Sequence, residues 1–268
     1  MGVGSLVATD LDGTLLRSDG TVSARSQQVL AQLEERGIPV VFVTARPLRW
    51  MTSLWPLVGG HGLAIISNGA VLYDVAAARV VDLAGVDRTV GLQILADVEA
   101  AIPGVGLGIE RLPSGMARNE AYVPDLGAQG LPDEFVVGDL AELWDAPVVK
   151  LLVRSATLEP SELQRVTADI VGDRALPTWS TPGLVEISAP GVTKAWRLRQ
   201  LCDRLGVAAA DVVAFGDMPN DLPMLEWAGH PHAVGNAHPD LIARFPVVGS
   251  NDDDGVATTL ASIFGGSA

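Results

Sequence analysis

The chain has 268 residues and a net charge of −14, from 32 acidic against 18 basic residues. That length allows one large domain or two modest ones, and that charge argues against a non-specific nucleic-acid or anionic-membrane binder. No apolar run is long and charge-poor enough to span a bilayer, and the lone cysteine, Cys202, excludes an intrachain disulfide and a cysteine-based zinc site.

The start, MGVGSLVATD, has no basic region ahead of an apolar segment, so no signal peptide is expected. Leu6 breaks the myristoylation pattern that Met-Gly would open. Ser5 to Thr9 reads as a buried strand with Asp10 at its carboxyl end. Val22 to Glu35 reads as a helix with Val29, Leu30 and Leu33 on one face, ending near Arg36-Gly37. Pro39 to Thr44 is a second buried strand, and Pro47 suits the first turn of a helix. Leu63 to Ser67 is a third strand, closed by Asn68-Gly69, and Val71 to Leu83 reads as a hairpin.

The rhythm then changes. Arg88 to Ile102 reads as a helix, Val105 to Arg111 and Val148 to Arg154 as strands, Pro160 to Val171 as a helix, and Leu184 to Ser188 as a strand. This is an α+β pattern, expected as an antiparallel sheet with helices on one side. The α/β alternation resumes with helix Thr193 to Leu205, strand Asp211 to Phe215 and helix Asp221 to Ala228. Continuous apolar strands between helices predict a parallel sheet covered on both faces, interrupted by an insertion of roughly a hundred residues. In such sheets ligands sit beyond the carboxyl ends of the strands, which puts Asp10, Thr44 and Asn68 toward one crevice.

The stretch Ala8 to Leu16, ATDLDGTLL, sets two carboxylates beyond a buried strand. Two such groups repel each other and lose hydration; oxygen ligands without His or Cys favour Mg²⁺ as the remedy. Asp12-Gly13 alone also reads as a turn, with Thr14 bonding its backbone. Thr44, in VVFVTARP, can donate to a phosphoryl oxygen or cap a helix, and Arg46 offers a second phosphate or substrate contact. All but two of the basic residues are arginines; the lysines are Lys150 and Lys194. Lys194 falls in a helical first turn, an unfavourable place for an ordinary surface cation.

These motifs, with Gly216-Asp217-Met218-Pro219-Asn220-Asp221 after the strand DVVAF, appear in the order found in the haloacid dehalogenase (HAD) superfamily. The chain resembles its Cof-type phosphatases over essentially its whole length. The resemblance implies a HAD-like Rossmannoid parallel-sheet core with helices on both faces, residues 1–84 and 188–268, and an inserted α+β cap domain, residues 85–187. It implies Asp10 as the nucleophile that forms an aspartyl-phosphate, and Asp12 as general acid and base. It places Thr44, Lys194 and Asn220 on the phosphate. It implies Mg²⁺ held by Asp10, the Asp12 carbonyl and Asp217, with Asp221 supporting the metal shell. Many relatives carry Gly where this chain has Ala45.

The cap is expected to exclude water and choose the substrate. Asn68, Arg118, Asn119, Lys150 and Trp179 are candidates for that choice by their chemistry. The expected substrate is a small phosphorylated metabolite (a sugar phosphate, a nucleotide or a cofactor phosphate), with no nucleic-acid or membrane partner and a cytoplasmic location. A phosphotransferase or phosphomutase on the same scaffold, and a non-catalytic binding protein, stay open at this point. Asn251 to Asp254 lacks the spacing of a calcium loop and is expected to cap a last helix, Gly255 to Ile263. His230, His232 and His238 have no carboxylate or cysteine at zinc-site spacing.

Overall fold

Leu6–Thr9 (β1) and Val40–Val43 (β2) are buried at every position, which a strand achieves only when both of its faces are covered. The computed structural model describes residues 5–57, 62–123 and 135–265. Residues 1–4, which carry part of the leader and acylation readings, lie outside that set. Between β1 and β2 runs α1 (Ala24–Glu35), opened by Ser23, whose hydroxyl accepts from the Ser26 amide at 3.0 Å. Then follow β3 (Leu63–Ile66), β4 (Val71–Asp74), β5 (Arg79–Leu83), α2 (Arg88–Ala101), β6 (Gly106–Arg111), β7 (Gly115–Arg118), β8 (Phe135–Val137), β9 (Val148–Arg154), α3 (Pro160–Val171), β10 (Leu176–Thr178) and β11 (Leu184–Ser188). The chain ends with α4 (Lys194–Leu205), β12 (Val212–Gly216), α5 (Leu222–Trp227), β13 (His230–Ala233), α6 (Pro239–Ile242) and α7 (Gly255–Phe264).

The chain divides into two compact units, Met1–Asp82 with Thr193–Ala268, and Leu83–Val192. The first holds a seven-stranded sheet in the order β13-β12-β1-β2-β3-β4-β5. The strands from β13 to β3 are parallel, and β4 returns antiparallel to β3. Helix α1 packs with α7, and α4 with α5. The turn after Pro47 is a single 3-10 turn, Leu48–Trp50, rather than the helix expected there.

The second unit holds a six-stranded sheet, β10-β11-β9-β6-β7-β8. Leu107, Ile109, Leu151, Val153, Val185 and Ile187 join Ile94, Leu95, Val98, Leu163 and Val171 of α2 and α3 in one core. Strand alternation therefore turns Gly108, Glu110, Lys150, Leu152 and Glu186 to the other face. The sheet is antiparallel as expected except at one edge, where β7 and β8 pair in parallel.

Cys202 sits in α4 with no exposed surface, and burial, helped by Asp203, pushes its thiol up to about 12. Thiolate is the reactive form. The folded protein is therefore expected not to react with Ellman's reagent near pH ~8, where a free thiol is about a quarter ionised. Complete unfolding in guanidinium should release one equivalent, and a rapid native reaction would contradict this packing.

Candidate active site

Parallel strands share a direction, so their carboxyl ends share one edge of the sheet. Asp10 follows β1, Thr44 follows β2, Ser67 to Gly69 follow β3 and Asp217 follows β12. Backbone bonds hold these ends in step: Asp10 N donates to Phe215 O at 3.1 Å, Thr44 N to Ile65 O at 2.9 Å, and Asn68 N to Thr44 O at 3.0 Å. Ser67, Asn68 and Gly69 have φ of 52°, 57° and 98°, three successive left-handed residues. Such backbone is costly for non-glycine residues and concentrates at functional sites.

After Asp10 the chain makes one wide turn, closed by Leu16 N on Leu11 O at 2.8 Å. Gly13, at φ 72°, lets it turn, and a Cβ there would lie 2.4 Å from Asp217 Oδ2. The sequence suggests that Thr14 bonds the backbone of this turn. Instead its hydroxyl donates to Asp217 Oδ1 at 2.8 Å, tying the first motif to the last across 203 residues of sequence. Gly13→Ala therefore adds backbone strain and displaces a buried carboxylate. It is expected to cost about 1–3 kcal/mol and to cut turnover at least about tenfold, measured by thermal melting and phosphate release.

Four charged groups meet at the centre. Lys194 Nζ lies 2.9 Å from Asp10 Oδ1 and 2.7 Å from Asp221 Oδ1. Thr193 accepts from Trp196 N at 2.9 Å, starting α4 so that Lys194 is its first residue and points into the protein. Asp10, Asp217, Asp221 and Lys194 are all buried. Burial raises Asp10 well above the ordinary carboxylate range; Lys194 opposes that rise, and Asp221, Asp217 and Asp12 add to it. Burial, with Asp221 beside it, pushes Asp217 up to about 7. Burial alone would lower Lys194, but Asp10 and Asp221 overcome it and raise its pKa.

One cation thus faces three carboxylates, whose oxygens can be chosen within 4.8 Å of one another. All donors are oxygen, and the excess charge is negative. Those residues fit a hard divalent cation such as Mg²⁺. Among the described residues this is the one group of His, Cys, Asp or Glu with such spacing, and the three histidines near residue 230 do not form another. Asp221 Oδ2 accepts from the amides of Asp217 and Met218, both at 3.1 Å, and Oδ1 takes Lys194. Its oxygens are spent on holding neighbours, which suits a supporting place behind Asp217.

Arg46 is paired with Asp12. Its Nε and Nη2 each donate to one oxygen of Asp12, both at 2.7 Å. Thr44 Oγ1 accepts from Arg46 N at 3.0 Å, which leaves its O–H to donate. Asn220 Nδ2 donates to Asn68 Oδ1 at 3.0 Å, while the buried Asn220 Oδ1 meets no partner among the described residues. An Asn amide orphaned beside the carboxylate cluster marks a place for a further polar group.

Arg118, Asn119, Lys150 and Trp179 lie in the second unit. Two of them have partners within its fold. Asn119 accepts from the amides of Leu107 at 2.9 Å and Tyr122 at 3.0 Å and donates to Val105 O at 3.0 Å. Lys150 is buried in an ion pair with Glu186, which also accepts from Ser180 Oγ at 2.9 Å. Arg118 donates to Tyr122 O at 2.9 Å and lies over the Phe135 ring. Trp179 is half-buried.

Two residues that sequence reasoning missed shape the first loop. Asn236 donates to Gly13 O at 2.7 Å and accepts from Asn251 N at 3.0 Å, and Asn251 donates to Leu16 O at 3.0 Å. The acidic run beyond Asn251 does not use its side chains to cap α7 as expected. Asp254 grips Arg17 with both oxygens at 3.0 Å, and Asp252 accepts from Ser18 N at 2.9 Å and Ser18 Oγ at 2.7 Å. Both acids pin the turn that leaves the first motif.

The family model described as haloacid dehalogenase-like hydrolase matches residues 7–260: the chain belongs to that family, in its Cof-type branch. It is similar to pyridoxal phosphate phosphatase YbhA of Escherichia coli, 30% identical with 96% of this chain and 97% of that protein covered. It is also similar to 5-amino-6-(5-phospho-D-ribitylamino)uracil phosphatase YitU of Bacillus subtilis, 29% identical over 97% of each chain. Among solved structures, a haloacid dehalogenase-like hydrolase from B. subtilis superposes with a TM-score of 0.82 at 25% identity, covering 97% of this chain and all of that one. No helix among the described residues is long and apolar enough to cross a membrane.

Proposed function

We propose that the protein is a phosphoric monoester hydrolase that takes a small phosphorylated metabolite and works through Asp10 as nucleophile. The observation that carries this is the buried Asp10 carboxylate, held 2.9 Å from the Lys194 ammonium at the carboxyl end of the central strands. Relatives named as phosphatases of pyridoxal phosphate and of a ribitylaminouracil phosphate support the reaction class.

Asp10 attacks phosphorus, the ester P–O bond breaks, and Asp12 gives its proton to the departing alkoxide. A water then attacks the aspartyl-phosphate, Asp12 takes its proton, and inorganic phosphate leaves. Lys194 stays charged and faces the developing negative charge; Thr44 Oγ1 and the second Nδ2 hydrogen of Asn220 donate to phosphoryl oxygens. Asp10, Asp217 and the Asp12 carbonyl would hold Mg²⁺, with Asp221 behind them. The ion, when bound, offsets the repulsion between carboxylates and phosphate. The one cysteine, buried and unpaired, suits a reducing, cytoplasmic compartment.

The test is phosphate release from a panel of sugar, nucleotide and cofactor phosphates, with Mg²⁺ and with EDTA. Release with Mg²⁺, lost in EDTA and restored by excess Mg²⁺, is expected. No release from any ester by the folded protein would overturn the reading and direct attention to a phosphoryl acceptor other than water.

A further inference from the structure

The two carboxylates of the first loop are held in different ways. Asp10 is buried and faces a lysine, a point charge that leaves the carboxylate plane free. The Asp12 side chain is 46% exposed, stands on a turn beside a left-handed glycine, and meets an arginine fork that contacts both oxygens at 2.7 Å. A two-pronged guanidinium fixes the plane and rotamer of its partner as well as its charge. The arginine itself is anchored. Its side chain is 7% exposed, its Nη1 donates to Trp50 O at 3.3 Å, its amide donates to Thr44 Oγ1 at 3.0 Å, and its carbonyl accepts from Ser67 N at 3.0 Å. Three of its five N–H donors are committed in this way, and the two that form the fork both face Asp12.

We infer that Arg46 is a positioning residue that holds the Asp12 carboxylate for proton transfer to the leaving group, and not a ligand of the phosphoryl group. This rests on the phosphatase reading above, in which Asp12 is the acid. It makes the cost of losing Arg46 depend on the leaving group. An aryl oxide departs without a proton, whereas an alkoxide needs one. A lost phosphate ligand would slow both esters alike.

The experiment compares kcat/KM for p-nitrophenyl phosphate and for glycerol phosphate, because kcat/KM reports the steps through ester cleavage. In Arg46→Met the alkyl ester is expected to lose about 100-fold and the aryl ester less than about fivefold. Inhibition by inorganic phosphate should stay within about twofold of wild type, and Arg46→Lys, which keeps charge but loses the fork, should fall between. In an Asp12→Ala background, Arg46→Met should cost less than about twofold, since residues that act as a unit are not additive. Equal losses on both esters with weakened phosphate inhibition would overturn the inference and make Arg46 a phosphate ligand. Unchanged kinetics would overturn it as well. If Arg46→Met does not fold by circular dichroism, Arg46→Lys carries the same comparison. Wild-type protein with no Asp10-dependent release would sink the phosphatase reading and this inference together, a result distinct from equal losses.

Discussion

Asp10→Asn is expected to lower phosphate release from every ester by at least about 1,000-fold while the protein stays folded. The amide keeps the shape of the carboxylate and its place at the end of β1, but it cannot form the aspartyl-phosphate. Stability should not suffer in metal-free buffer. Burial and the neighbouring Asp221, Asp217 and Asp12 all disfavour the Asp10 charge, and Lys194 opposes them by favouring it. Neutralising that position relieves the repulsion and gives up one ion pair, so the melting temperature should match or exceed that of wild type. With Mg²⁺ the order should reverse, because the variant has lost a ligand and with it the stabilisation that binding to the native state provides. Full activity in Asp10→Asn would remove this residue from the reaction. A collapse of the fold would show that it is structural first.

The carboxylate and lysine cluster was legible because each member sits where local pattern is strongest. Asp10 and Asp217 each end an unbroken apolar strand, and Lys194 is a rare lysine at a helix start. What stayed hidden is what the chain assembles over distance. The Thr14–Asp217, Asn236–Gly13 and Asn251–Leu16 contacts join residues 203, 223 and 235 apart, and no periodicity links them. Arg46 carried a cationic signal that suits phosphate equally well; only the coordinates show its fork turned to Asp12. Strands fared similarly. VVKLLVR and LVEIS read as strands from composition, while Gly115–Arg118 and Leu176–Thr178 did not. The first is short and holds a glycine, and the second has Pro177 in a strand at the sheet edge, where proline is tolerated. Their pairing is decided by neighbours, not by their own propensity.

Lys194→Met separates the two things a buried cation does in this site. The methionine fills much of the same volume but leaves Asp10 and Asp221 without their shared partner, both with side chains almost wholly out of solvent. Breaking a buried ion pair from one side typically costs about 3–5 kcal/mol, and here part of that cost is relieved because a carboxylate can take up a proton. A fall in melting temperature of about 10 °C is therefore expected without metal, at the few degrees per kcal/mol usual for chains of this size. To the extent that no proton is taken up, the site also gains negative charge. Mg²⁺ should then raise the melting temperature of the variant by more than it raises that of wild type, since the ion replaces the missing compensation. Activity should behave otherwise and remain down at least about 100-fold even at saturating Mg²⁺, because the ammonium faces charge that develops on the phosphoryl group during transfer. Recovery of stability without recovery of turnover is the signature of a lysine that acts on the transition state. Recovery of both would mean that Lys194 only balances charge, and a variant no less stable than wild type would mean that the buried triad is not the electrostatic centre that its distances indicate.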